Sequence, residues 1–217
     1  MLLALDSSTR SASVALLDGA RVLERDAEVS VHDEALLAMI DEVVRAAGAR
    51  RADLAAVACG AGPGSYTGLR VGIATAKGLC FALERPLVMV SSLAAVAHAA
   101  GPGLVAVVLD AGKGQTFFAL FRDGFAIGAE VTLPPAALAA ELAARTSDPV
   151  RVAGDGARVY PEAAALGEIA HLARPRARDV AALAAARLAR GESDALATAE
   201  PRYAAEWQPT AGWKGLR

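Results

Sequence analysis

Histidine and cysteine are scarce in this chain: three and two among 217 residues. His32, His98 and His171 never stand four apart, and no Cys-x-x-Cys relates Cys59 to Cys80. A zinc site or redox dithiol has no spacing to build on, so no metal ligand is assigned and no cofactor is expected. Both cysteines lie in apolar runs, where a thiol acts as a small core group in a reducing compartment. Charge of one sign is also lacking: 22 Lys and Arg stand against 24 Asp and Glu, net −2. A dedicated nucleic-acid binder carries a basic surplus, so a nucleic acid or other polyanion is not expected to be gripped directly. The local group Arg174, Arg176 and Arg178 reads as a solvated loop and helix start. No basic leader precedes Asp6, and the longest apolar stretch, Gly78 to Val90, is broken by Glu84, Arg85 and Pro86. Neither a signal peptide nor a membrane span is expected, and the expected location is cytoplasmic. No Gly-Lys-Ser/Thr, Gly-x-Ser-x-Gly or His-Glu-x-x-His is present, and no catalytic residue is assigned.

What the chain has is apolar mass, 54 % of its residues, enough for a core that removes roughly 70 % of the unfolded surface from water. Leu2 to Leu5, ended by Asp6, reads as a strand buried on both faces. Strands follow at Ser11 to Leu17 and Arg21 to Val29, joined by an Asp18-Gly19 turn. A helix is expected from about Asp33 to Ala47, stopped by Gly48. A short strand, Ala55 to Cys59, leads through the loop Gly60 to Gly64 into a helix from about Gly68 to Leu83. Leu87 to Val90 is the next strand, and Ser91 or Ser92 caps a helix running to Ala100.

After Gly101-Pro102-Gly103 the pattern restarts. Asp110 closes an apolar run 104 residues after Asp6, and two strands with an Asp123-Gly124 turn follow. The repeat of strand, Asp, turn, strand, Asp-Gly, strand fixes the architecture. An α/β chain of two tandem halves is expected, residues 1–101 and 102–217, each a mixed sheet with helices. The last long helix is expected at about Arg176 to Ala189, and a tail from about residue 200 is a candidate to return to the first half.

This repeated turn is the geometry with which actin-like and sugar-kinase ATPases (ribonuclease H-like halves) hold phosphates and Mg²⁺. Asp6, Ser8, Thr9, Asp110 and Gly112 are its candidate nucleotide-binding residues here, read as vestigial, because the chain leaves no room for adenosine-binding loops. The Gly60 to Gly68 segment reads as a tight turn whose Ser65 or Thr67 caps a helix. That helix is apolar almost all round, with Arg70 and Lys77 nearly in line and Gly68, Gly72 and Ala76 forming a small-residue ridge. In the preceding helix Leu36, Leu37, Met39, Ile40, Val43, Val44 and Ala47 are apolar over half the circumference. One small sheet covers one face of each helix, so the surplus points to a partner. The expected partner-binding residues are Leu36, Met39, Ile40, Val43, Gly68, Leu69, Gly72, Ile73, Ala76 and Lys77. The same apolar face leaves a homodimer open for the chain alone.

Gly62-Pro63-Gly64-Ser65-Tyr66-Thr67-Gly68-Leu69-Arg70-Val71-Gly72, continued by Ala74-Thr75-Ala76-Lys77-Gly78-Leu79, closely resembles the TsaB (YeaZ) family. Leu5-Asp6-Ser7-Ser8-Thr9 and His32 to Ile40 fit the same family, and the likeness is specific over about residues 1 to 92. Pro201-Arg202-Tyr203 resembles the family's Pro-x-Tyr, but Ala204-Ala205 replaces the usual Leu-Arg. The resemblance implies an actin-like ATPase fold shared with a catalytic paralogue, TsaD, which makes threonylcarbamoyladenosine beside the tRNA anticodon. It implies a non-catalytic scaffold subunit bound to TsaD through first-half helices, with the ATPase TsaE joining them and tRNA met only in the complex. TsaD's metal-binding histidines fall where this chain reads Ser91 to His98, with one histidine. The competing expectations are an ATP-binding enzyme working through Asp6 and Asp110, and a protease, which the residues do not support.

Overall fold

The structure is a computed structural model and describes residues 1–28, 32–171 and 174–203, with side chains of 32–35 outside the description. Its first five-stranded sheet is ordered β3-β2-β1-β4-β5, from Leu2–Asp6 (β1), Ser11–Asp18 (β2), Arg21–Glu28 (β3), Ala56–Gly62 (β4) and Leu87–Ser91 (β5). The second is ordered β10-β9-β6-β7-β8, from Leu104–Gly112 (β6), Gln115–Arg122 (β7), Phe125–Leu133 (β8), Arg151–Ala153 (β9) and Glu168–His171 (β10). In each sheet the opening strand pairs antiparallel with the second and parallel with the fourth. The repeat in sequence is therefore a repeat in topology, and the fold is the two-sheet α/β arrangement expected.

The two Asp-Gly turns differ in detail. Asp18 pairs with Arg21, so Gly19, at φ 58°, is the first turn residue. Arg122 pairs with Phe125, so Asp123 and Gly124 are both central, at φ 51° and 84°. Asp tolerates that left-handed conformation and Gly adopts it freely, which accounts for the one-residue slip between the repeats.

Helices α1 (His32–Ala46) and α2 (Tyr66–Leu83) cover one face of the first sheet, and α7 (Ala177–Ala189) covers the other. On the second sheet, α4 (Leu138–Arg145), α5 (Gly156–Val159) and α6 (Pro161–Ala164) lie on one face. Helix α3 (Ser92–Ala100) fills the space between the sheets. Its Ala95 packs with the first sheet and α7, while Leu93, Val96 and Ala97 pack with the second sheet. A helix apolar all round is stable only when covered on both sides, and α3 meets that condition inside the chain. Arg151 reaches back to the carbonyls of Ala100 (3.0 Å), Gly101 (3.4 Å) and Pro102, clamping the link between the sheets.

Several boundaries differ from the expectation. β4 runs on to Gly62, so the first three glycine-loop residues are strand, and α2 begins at Tyr66 with Ser65 as its cap. Strands β9 and β10, three and four residues long, were not foreseen. The unit 102–217 does not describe where its last helix packs. Ala177, Val180, Ala181 and Ala184 of α7 are buried with Leu2, Ala4 and Ala15 of the first sheet. That return begins well before residue 200, because the apolar face of β1 and β2 opposite α1 and α2 must be covered.

Candidate functional site

Asp6 ends β1 with no exposed surface. Its Oδ1 accepts hydrogen bonds from the Ser8 amide (2.9 Å) and hydroxyl (2.7 Å), and Oδ2 accepts one from Ser92 (3.1 Å). Burial pushes the carboxyl above its ordinary range, against those three donors. Ser7 and Ser8 are buried as well, and the Ser7 hydroxyl donates to the Gly68 carbonyl at 2.8 Å. Thr9 closes the turn against Ser11.

Each of these three consecutive residues is faced by one glycine. A Cβ at Gly60 would stand 1.9 Å from Asp6 Oδ2, one at Gly72 2.2 Å from Ser7 Oγ, and one at Gly64 2.2 Å from the Ser8 carbonyl oxygen. The Ser65 amide donates to that same carbonyl at 2.6 Å. The β1–β2 turn is thus packed by β4, its following loop and α2, leaving its polar groups turned inward on one another. The glycines needed at 60, 64 and 72 are needed for close approach to this turn.

The corresponding turn of the second half is open. Asp110 is exposed, and its Oδ1 accepts from the Gly112 amide (2.9 Å) and the Tyr160 hydroxyl (2.7 Å), while its own amide donates to Asp155 (3.2 Å). The bond to Asp110 pushes the Tyr160 phenol up to about 12. Nothing lies within 4 Å of a Cβ built at Gly112 or Gly114. Arg174 ion-pairs with Asp155 and Glu28, and Arg178 with Glu24. The expected basic group therefore serves internal pairing in two of its three members. A bulge in β8, where Val131 and Ile127 flank the slip opposite Phe118 and Leu120, accompanies a bond from the Ser91 hydroxyl to Glu130. The second sheet thereby meets the end of β5, next to Ser92 and Asp6.

His98, on α3, faces Asp179 of α7 at 2.9 Å, and this bond holds its imidazole above the ordinary range. His171 lies at the end of β10, with its Nε2 buried and unbonded. Among the described residues no group of three or more His, Cys, Asp or Glu side chains is placed to hold a metal ion. Burial pushes the Cys59 thiol well up and Cys80 up to about 11. No described helix is long and apolar enough to cross a membrane.

The expected partner-binding residues are not a surface. Leu36, Met39, Ile40, Val43, Gly68, Leu69, Gly72, Ile73 and Ala76 are all buried, and most belong to the core under the first sheet. Only Lys77 is partly exposed, and its Nζ donates to the Ala199 carbonyl at 3.1 Å. The reason is the sheet: the more strongly apolar face of each helix turns inward, where the ridge of Gly68, Gly72 and Ala76 fits against β1 and its turn. What α1 and α2 present to solvent is different. Leu37 is 56 % and Phe81 79 % exposed, with Ala74, Gly78 and Ala82 also exposed and Val71 and Thr75 partly so.

The chain's return was signalled in sequence only by Pro201-Arg202-Tyr203. Asp194 bridges to Leu87, and its carboxylate accepts from the Met89 amide (2.7 Å) and pairs with Arg187. The Arg202 amide donates to the Ala61 carbonyl at 2.7 Å. Tyr203 stacks on Tyr66, with ring centres 5.2 Å apart, and its hydroxyl accepts from Arg70 Nε at 3.0 Å. Trp207 and Trp213 lie outside the described residues.

A family model described as "TsaD: tRNA N6-adenosine threonylcarbamoyltransferase" matches residues 28–204. The tRNA threonylcarbamoyladenosine biosynthesis protein TsaB of Escherichia coli is 30 % identical over 99 % of this chain and 97 % of its own length. The protein of the same name from Haemophilus influenzae is 43 % identical over 46 % of this chain and 42 % of its own length. The solved structure of YeaZ from Pseudomonas aeruginosa superposes with a TM-score of 0.81 at 33 % identity, covering 93 % of this chain and 98 % of that one.

Proposed function

This chain belongs to the TsaB (YeaZ) family of tRNA threonylcarbamoyladenosine biosynthesis proteins, and from that premise we propose that it is a non-catalytic scaffold subunit for a TsaD-type transferase. The observation that carries the reading is the filled turn at Asp6, Ser7 and Ser8, each pressed by a glycine of the same half. A phosphate held by that turn needs free space and outward amides; here Gly64 and Ser65 press on the Ser8 carbonyl, and the Ser8 amide is turned inward to Asp6. A chain that keeps the fold and closes its first phosphate turn is suited to contributing shape.

The contact surface in this proposal is the outer side of α1 and α2: Leu37, Val71, Ala74, Gly78 and Phe81. Small residues there let a partner's helix come close, and Phe81 supplies the apolar anchor on which interface energy concentrates. The buried residues named from sequence hold those helices in place. Alone, the chain covers the same surface with a second copy; in the cytoplasm the TsaD-type protein takes it, a TsaE-type ATPase joins, and tRNA is met through the complex.

Light scattering after size exclusion tests this, on the chain alone and mixed with the TsaD-type protein of the same organism. A one-to-one complex is expected. Two unchanged peaks at micromolar concentration, with nucleotide present, sink the proposal. The open turn at Asp110 and Gly112 favours one alternative, an ATP-binding enzyme of the same superfamily, and titration calorimetry with Mg-ATP separates the two: the scaffold reading expects no heat.

A further inference from the structure

The outer stripe of α2 does not end in apolar residues. Ala74, Gly78 and Phe81 continue, at helical spacing, from Arg70 near the helix N-terminus. From Tyr66 to Leu83 the helix carries no acidic residue, and its other cation, Lys77, is committed to Ala199. Arg70 is exposed yet held on two sides. Its guanidinium carbon sits 4.1 Å over the Tyr66 ring, and its Nε donates to the Tyr203 hydroxyl. Those contacts use the ring face and the inner nitrogen. Among the described residues no carboxylate pairs with the two outer nitrogens.

Tyr203 reaches this place through the returning segment. The Arg202 amide is bonded to Ala61, and a Cβ at Gly62 would stand 2.8 Å from the Arg202 carbonyl oxygen. Residues 194–203 thus bring a second tyrosine, 133 positions from Arg70, to the first turn of α2.

We propose that Tyr66, Arg70 and Tyr203 form a carboxylate-binding corner of the partner surface, in which the outer nitrogens of Arg70 take one acidic side chain of the partner protein in a two-point hydrogen bond. The inference rests on the scaffold reading and adds to it the chemistry that fixes the partner's register. A planar, pre-ordered guanidinium matches a carboxylate, and the two tyrosines remove the ordering cost that makes exposed ion pairs weak. A protein acid fits better than RNA phosphate. A phosphate backbone is gripped by several cations at once, and here one stands alone on a chain of net charge −2.

The test is affinity for the TsaD-type protein, by calorimetry with the full chain. Arg70→Lys keeps the charge and loses the fork, and about a ten-fold or greater loss of affinity is expected. Tyr203→Phe is expected to weaken binding several-fold, and less in the Arg70→Lys background, because the hydroxyl acts through Arg70. Both side chains are exposed, so melting temperatures of the free variants check that the fold is kept. Phe81→Ser separates the two readings. If it weakens the complex while Arg70→Lys binds like wild type, the corner is wrong and the scaffold surface stands. If neither variant matters, both fall. If Arg70→Lys leaves protein affinity unchanged and lowers only tRNA retention by the complex, the group recognised is a phosphate and the proposal is overturned.

Discussion

Gly64→Ala and Gly78→Ala make the same chemical change at two ends of one segment, and the structure assigns them opposite signs. At Gly64 the new methyl would stand 2.2 Å from the Ser8 carbonyl oxygen and 2.9 Å from its carbon. Both atoms are backbone, so no side-chain rotation relieves the contact. Forcing the turn aside costs roughly 1–3 kcal/mol for overpacking and about 0.5–1.5 kcal/mol for the Ser65–Ser8 hydrogen bond. The stiffer unfolded chain returns about 0.4–1 kcal/mol, leaving a net loss centred on about 2 kcal/mol. At Gly78 nothing lies within 4 Å of the added carbon, and the helix gains about 0.8–1 kcal/mol. In a chain of this size each kcal/mol moves the melting temperature by about 2–4 °C. Calorimetric melts at equal protein concentration should put Gly64→Ala roughly 4–8 °C below wild type and Gly78→Ala about 2–4 °C above it. A Gly64→Ala protein that melts at or above wild type would refute the filled turn, and with it the main support for a non-catalytic role. Gly78→Ala carries a second consequence. If the partner approaches α2 closely there, the stabilised variant should bind its partner less tightly than wild type, separating stability from assembly.

Burial raises the Asp6 carboxyl, so its stabilising contribution is full below the unfolded value of 3.8 and is lost as pH rises through the raised folded value. Asp6→Asn keeps Oδ1 for Ser8 and lets Nδ2 donate to Ser92. The variant should melt above wild type near pH 7, with the gap closing toward acid; a lower melt at neutral pH would show that the charge itself is needed. The His98 pairing runs in the physiological range. Its raised value means the bond to Asp179 stabilises fully below 6.5 and fades as pH climbs through the folded value, so His98→Gln should flatten stability against pH there. Cys59 and Cys80 are buried with raised thiols; a soluble disulfide reagent at neutral pH should label both only after denaturation, and rapid labelling of the native chain would contradict that packing. Gly72→Arg should yield little folded protein, since its side chain would enter at Ser7 and Leu5, and a soluble, well-folded variant would restore the buried ridge as a candidate docking face.

The chain disclosed its topology because the repeat is written in strong local signals. Apolar runs ended by Asp6 and Asp110, and Asp-Gly at residues 18–19 and 123–124, are set by turn chemistry, which needs little tertiary context. β9 and β10 gave no comparable signal. Arg151–Ala153 is too short to show a period, and Glu168–His171 lies at a sheet edge with three of four residues exposed. The site was legible as residue types and illegible as geometry. That Asp6, Ser8 and Thr9 belong together followed from their spacing. That Gly60, Gly64 and Gly72 close on that turn required the parallel pairing of β1 with β4, a contact across some fifty residues.

The burial of the residues expected to bind a partner teaches the most specific lesson. Periodicity in α2 identifies which residues share a face, and a helix apolar all round has more than one such face. Ranking the faces by hydrophobicity selects the one the chain itself buries first, because Leu69, Ile73, Ala76 and Cys80 gain most by leaving water against the nearest sheet. A face reserved for a partner must remain tolerable in water until the partner arrives; the outer stripe of α2, with Ala74, Gly78 and Thr75, an exposed Phe81 and Arg70 at its rim, has that composition and is the surface proposed above. Surplus hydrophobicity in a helix therefore argues that a second contact exists, while the weaker stripe is where that contact should be sought. In this chain that stripe begins at Arg70, the residue held between Tyr66 of its own helix and Tyr203 of the returning segment.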